Sequence, residues 1–150
     1  MRRALLALVL ATGSGGCAPS AGDPADEIAA LFAAGEAAAE AGDHRAIADL
    51  VAGDYEDAAG RDRRQVAFLL RSLLGRYPNA IVSVRDLNVE VISPELANAD
   101  AALLVLARRK GAALPVSVDG DAFRLRLALR REGGDWLVTR AQWDNSRAVN

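Results

Sequence analysis

Tyr55, Glu56 and Asp57 stand side by side in the segment DYEDAAGRDR, and a phenol beside two carboxylates is material for general acid–base chemistry. Such chemistry needs a positioned partner, and none stands at an evident spacing, so the competing reading is a solvated loop with Tyr55 packed on the core edge. His44, the single histidine, lies beside Arg45 in a short helical pattern. Without a second His or a nearby Cys it cannot complete a zinc site, and no serine has a histidine at a spacing that suggests a nucleophile and its base. Gly13 to Gly16 is glycine-rich but lacks the lysine of a phosphate-binding loop. No catalytic residue, metal site or cofactor is therefore predicted. Phe32, Tyr55, Arg140 and Gln142 remain as the residues that would line a small-ligand pocket if the fold gathers them.

Whether it does depends on the elements that carry them. Asp23 is placed to cap a first helix, with Pro24 at its first position and Asp26 and Glu27 where the helix dipole favours negative charge. Ile28, Leu31 and Phe32 form its apolar stripe, and Gly42 closes it after about Ala41. Asp43 caps a short second helix with Ile47, Leu50 and Val51 on one face, ended by Gly53. A loop is predicted over Asp54 to Arg61. Asp62 then caps a third helix in which Val66, Leu69, Leu70, Leu73 and Leu74 follow helical spacing up to Tyr77-Pro78.

From Ala80 the apolar period changes to two. Val82 and Val84 have the opposite parity to Leu87, Val89 and Val91, which predicts a bulge near Arg85-Asp86. Ala99 to Ala107 is a second strand, Lys110 to Gly120 a loop, and Phe123 to Leu129 a strand alternating with Arg124, Arg126 and Arg130. Gly133-Gly134 turns the chain into a last strand, Trp136 to Trp143. Regular pairing across that turn sets Arg131 opposite Trp136, Leu129 opposite Val138, Leu127 opposite Arg140 and Leu125 opposite Gln142. Arg140 and Gln142 would then orient a small polar or anionic ligand on an apolar face with Phe32 and Tyr55; alternatively Arg140 pairs with Glu36 or Glu40. On the other face Arg124, Arg126 and Arg130 read as a solvated surface or a basic patch for anionic lipids or glycans. Leu104 and Leu106 suggest that part of this face is covered, and a homodimer is the predicted cover.

With 51% hydrophobic and 25% charged residues in 150, the chain reads as one globular domain with a single core. Arg2 and Arg3, the apolar run Ala4 to Ala11, and the small residues up to Cys17 have the three regions of an export signal, too short to span a bilayer. Ser14-Gly15-Gly16-Cys17 resembles the lipobox of bacterial lipoproteins, with Gly16 as the required small residue and Ser14 where that motif prefers Leu. The resemblance implies a signal peptide over 1–16, lipid on Cys17, a tether over 17–22 and a folded domain over 23–146. Ordinary signal-peptidase cleavage is the rival, but Pro19 spoils the sites after Ala18 and Ala21. Lipidation would also account for the lone thiol, since one cysteine allows no internal disulfide. Cleavage before Cys17 removes Arg2 and Arg3, leaving 16 basic against 20 acidic side chains, a charge of −4 that argues against nucleic acid as a partner. Ala18 after the cysteine resembles outer-membrane sorting, which would set the domain in the periplasm.

Three helices before an antiparallel meander, with DYEDAAGRDR and the closing GGDW hairpin, resemble the nuclear transport factor 2-like superfamily over Asp26 to Asp144. The resemblance implies an α+β cone, three helices packed on a curved antiparallel sheet of about four strands, around a pocket. It implies little about activity, because ketosteroid isomerases, polyketide cyclases, dehydratases and non-catalytic binders share this architecture. Isomerase-like members need a carboxylate base and a Tyr-plus-acid pair; the first helix offers Phe32 but no Tyr. The expectation is thus a membrane-anchored envelope lipoprotein whose domain binds a small ligand or a protein, the alternative being a pocket enzyme of isomerase or cyclase type.

Overall fold

In a computed structural model, the residues described are 22–76, 80–107 and 119–146. Cys17, the expected signal peptide and nearly all of the tether lie outside them, as does most of the predicted Lys110–Gly120 loop. The helix starts follow their caps. Asp23 accepts a hydrogen bond from Ala25 N at the head of α1 (Pro24–Glu40), and Asp43 accepts from Arg45 N and Ala46 N at the head of α2 (His44–Asp49). Before α3 (Arg63–Arg76), Gln65 N donates to Asp62 Oδ1 at 2.8 Å and Asp62 N donates to Gln65 Oε1 at 2.9 Å. This reciprocal cap satisfies two amides that a helix start otherwise leaves unpaired.

Between α2 and α3 the chain forms β1 (Val51–Asp57), where the sequence pattern predicts a helix end and a loop. The remaining strands are β2 (Ile81–Ser93), β3 (Leu96–Ala107), β4 (Asp119–Glu132) and β5 (Asp135–Ser146). The sheet therefore has five strands, in the order β1-β5-β4-β3-β2; β2 to β5 form the expected antiparallel meander, and β1 runs parallel to β5. Gly53, Asp54, Glu56 and Asp57 give β1 low strand propensity. It holds its place by tertiary means: Val138 N donates to Leu50 O at 2.9 Å, Ala58 N donates to Ala141 O at 3.1 Å, and Val51, Ala52 and Tyr55 are buried.

In β2 the pairing breaks between Arg85 and Asn88, with Asp86 at φ 50°, a left-handed conformation that aspartate tolerates better than most residues. The bulge lets Val84, Leu87 and Val89 all pack against the core despite their parity. Gly133 and Gly134 take φ 59° and 99° in the β4–β5 turn, where a side chain would be strained. Ile28 and Phe32 of α1, Tyr55 of β1, Val66 of α3 and the inner residues of β3, β4 and β5 make one core, all of it within 28–141.

Candidate functional site

Of the four predicted pocket residues, the fold buries two and turns two outward. Phe32 and Tyr55 are in the core, whereas Arg140 and Gln142 are exposed. Across the hairpin, Arg131 faces Trp136 and Leu129 faces Val138 as predicted, but a bulge then shifts the register so that Ala128 faces Arg140 and Arg126 faces Gln142. Thr139 is the extra residue, and its Oγ1 donates to Ala128 O at 3.2 Å. The one-residue slip sends Ala141 and Trp143 inward and Arg140 and Gln142 outward, so the predicted grouping does not form. Neither acidic partner suggested for Arg140 takes it: among the described residues Arg140 has no ion pair, and Glu36 accepts from Val84 N. Of the three arginines on the outer face of β4, two are paired, and Arg124 has no ion pair among the described residues. Arg126 pairs with Asp100 and Asp144, and Arg130 makes a two-pronged contact with Asp54 and a further pair with Glu132.

Asp57, only 1% exposed, is the buried charged residue among those described. Its Oδ1 accepts from Ala59 N at 2.8 Å and Arg61 N at 2.9 Å, and its Oδ2 accepts from Arg61 Nε at 2.5 Å. Burial pushes its pKa up, but the hydrogen bonds from Arg61 N, the Arg61 side chain and Ala59 N together outweigh this and hold it below the ordinary carboxylate value. Tyr55 goes the other way: burial first, then the negative charge of Asp57, raise its phenol to about 12, with Arg61 opposing. An ionised carboxylate with both oxygens occupied and a phenol locked neutral make a poor acid–base pair at neutral pH. The Arg61 guanidinium stacks 4.8 Å from the centre of the Trp143 ring, and with Gln142 they border a shallow cleft of about 200 Å³.

A larger cleft, about 490 Å³, opens between α1, the end of α2 and the β4–β5 turn. Ala30, Leu31, Leu50, Trp136 and Leu137 supply apolar walls, and Glu27, Asp49 and Asp135 supply carboxylates. Trp136 Nε1 donates to Glu27 Oε2 at 2.9 Å, and Arg131 pairs with the same oxygen while lying 5.0 Å from the centre of the Trp136 ring. Arg131 Nε is buried without a hydrogen-bond partner among the described residues. Asp49 contacts Arg63 at 3.4 Å. Of the carboxylates lining the cleft, Asp135 has no ion pair among the described residues.

The sequence reading missed Glu27, Arg61, Arg131 and Trp143. Arg131 opposite Trp136 was visible in the hairpin pairing, and Trp143 in the parity change from Trp136 and Val138 to Ala141 and Trp143. The long-range tie from Glu27 to Trp136 carries no local signal. His44 starts α2, half-buried, and among the described residues no group of His, Cys, Asp or Glu side chains is placed to hold a metal ion. No described helix is long and apolar enough to cross a membrane.

No family model matches the sequence, and no curated protein does. Solved structures do match. A protein of Streptomyces avermitilis named as a dehydratase of the nuclear transport factor 2-like family superposes with a TM-score of 0.71 at 15% identity, covering 82% of this chain and 96% of that one. An uncharacterised protein of Caulobacter vibrioides with a cystatin-like fold gives 0.68 at 19% identity, covering 85% and 92%. A protein of Xanthomonas campestris named as a calcium/calmodulin-dependent kinase II association domain gives 0.71 at 20% identity, covering 88% and 94%. Neighbours named for catalysis and for association share one backbone arrangement, so the likeness carries architecture and not activity. The chain has the nuclear transport factor 2-like, cystatin-like α+β fold.

Proposed function

We propose that this chain is a binding domain held at a bacterial envelope membrane by lipid on Cys17, and that its ligand site is the cleft between α1, α2 and the β4–β5 turn. The observation that carries the binding reading is the state of the buried polar groups. Asp57 spends both oxygens on its own turn and is not free to move a proton, while Glu27 Oε2 holds Trp136 and Arg131 in place. The cleft has apolar walls, and Asp135, the lining carboxylate with no ion pair among the described residues, favours a small amphipathic molecule with a positive charge. The Cys17 reading sets the domain on the periplasmic side of the outer membrane.

Native mass spectrometry of protein released gently from its membrane tests both parts. A diacylglyceryl-modified Cys17 at the N-terminus and a copurifying small molecule lost in Leu31→Arg, which fills the cleft with positive charge, are the expected results. A cleavage site elsewhere refutes the anchor, and a ligand retained in Leu31→Arg refutes the cleft.

The alternative, a pocket enzyme of isomerase or cyclase type, draws its support from the neighbour named as a dehydratase. Its base would be Asp57, beside Tyr55. Under that reading an isomerase or cyclase substrate is turned over and Asp57→Asn abolishes the turnover; under the binding reading the parent chain shows no turnover, and in both cases the change costs stability through the lost acceptor.

A further inference from the structure

Helix α3 contains four arginines and no acidic residue, in a chain whose mature form would carry −4. With α3 set aside, the rest of that mature chain carries −8. α3 is thus a net-positive helix in a chain whose remainder is net negative. At 3.6 residues per turn, Arg64, Gln65, Phe68, Arg71, Ser72 and Arg76 fall within an arc of roughly 140°. All of them are exposed, while Val66 and Leu70 on the other side pack into the core. Phe68 leaves 74% of its surface in water, with Arg64 one turn before it and Arg71 one turn after. Among the described residues Arg64, Arg71 and Arg76 have no ion pair.

We propose that this face of α3 rests on an anionic phospholipid bilayer, with Phe68 seated among the headgroups and Arg64, Arg71 and Arg76 on lipid phosphates. An aromatic ring between arginines on an otherwise polar helix face is the chemistry of an interfacial helix, which gains from burying the ring and from the negative surface potential together. A second copy fits this face poorly, because α3 against α3 sets arginine against arginine with no carboxylate to receive it. The position in the fold agrees. Arg63 at the start of α3 donates to Ala48 O and pairs with Asp49, and Asp49 shares its cleft with Glu27 in the first turn of α1. The start of α3 is therefore at the tethered end of the domain. In this the inference rests on the lipidation of Cys17, which puts the bilayer within about 18 Å of Gly22 along an extended chain.

Cosedimentation with vesicles tests the surface apart from the anchor. The protein is the mature chain from residue 17 with Cys17→Ser, which retains the whole described core and cannot be lipidated. It is expected to sediment with phosphatidylcholine vesicles containing about one third phosphatidylglycerol, less so as salt is raised, and not with phosphatidylcholine alone. Arg64→Gln with Arg71→Gln lowers the partition coefficient roughly thirtyfold, and Phe68→Ala roughly tenfold. These positions are exposed, and unchanged circular dichroism confirms that the variants remain folded. No sedimentation of the parent chain, equal binding to both vesicle types, or unchanged binding of the variants overturns the proposal. So does a mass in light scattering that halves on Phe68→Ala, which would give the face to a second copy. Because the assay contains no lipidated protein, failure of the anchor leaves its result unaffected.

Discussion

Asp57 shows why a buried carboxylate in this fold is not, by itself, a catalytic group: burial disfavours its charge, three hydrogen bonds restore it, and those bonds shape the turn that joins β1 to α3. Asp57→Asn is expected to destabilise the domain by about 1–3 kcal/mol, since buried amides and a charged partner lose their acceptor. The pH dependence has a definite sign. The folded pKa of Asp57 lies below its ordinary value of 3.8, so its contribution is complete above that pH and is lost as pH falls through the lower folded value. Tyr55 is the mirror case. Its folded pKa of about 12 exceeds the ordinary 10.0, so its contribution is complete below pH 10 and disappears as pH rises towards 12. Urea midpoints across pH, taken in high salt to screen the exposed Asp54–Arg130 pair, should fall in both limbs. Asp57→Asn should flatten the acid limb and Tyr55→Phe the alkaline one; unaltered limbs would contradict the assignment.

Between elements, the tie from α1 to the β4–β5 turn is Glu27, which holds Trp136 by its indole N–H and Arg131 by charge. Glu27→Ala leaves a largely buried guanidinium unpaired and should cost about 2–4 kcal/mol, whereas Glu27→Gln keeps an acceptor for Trp136 and should cost less. Thermal or urea unfolding measures both, and near-ultraviolet dichroism reports the Trp136 environment; equal losses would mean that the charge on Glu27 does nothing. At this scale the sequence was partly legible, for identifiable reasons. The three helices announce themselves through Asp23, Asp43 and Asp62, because caps are local. The Asp86 bulge is readable because Val84 and Leu87 change parity around a residue that accepts positive φ. The Thr139 bulge leaves the same trace, with Val138 even and Ala141 odd, but the regular hairpin pairing was extended through it, and that misplaced Arg140 and Gln142. β1 was missed because its residues are poor strand formers, and its pairing partner β5 lies some eighty residues away.

Across the whole molecule, the sheet presents two unlike surfaces at its opposite edges. Beside β1 stands α3 with its arginines, while the outer face of β2 and β3 carries Ile81 at 56% exposure and Leu104 at 37%. Ile81 pairs opposite Leu106 and Ser83 opposite Leu104, so the three apolar side chains share one face, and none of the described elements covers it. Next to them run Asp100, Arg126 and Asp144, charges of both signs on the same face. A patch with an apolar part and mixed charges can meet its own copy across a twofold axis, apolar on apolar and Arg126 towards a carboxylate, which an all-arginine surface such as α3 cannot do. Three side chains and their surroundings are a small area for association, so a reversible dimer is expected and not an obligate one. Light scattering of the Cys17→Ser mature chain should show a mass rising from one chain towards two with concentration. Leu104→Arg should hold it at one chain, because it buries a charge at the centre of the contact. Phe68→Ala should leave the rise intact, since that residue belongs to the other edge. A constant single-chain mass for the parent protein would remove the outer sheet from consideration, and it would leave the α3 surface standing.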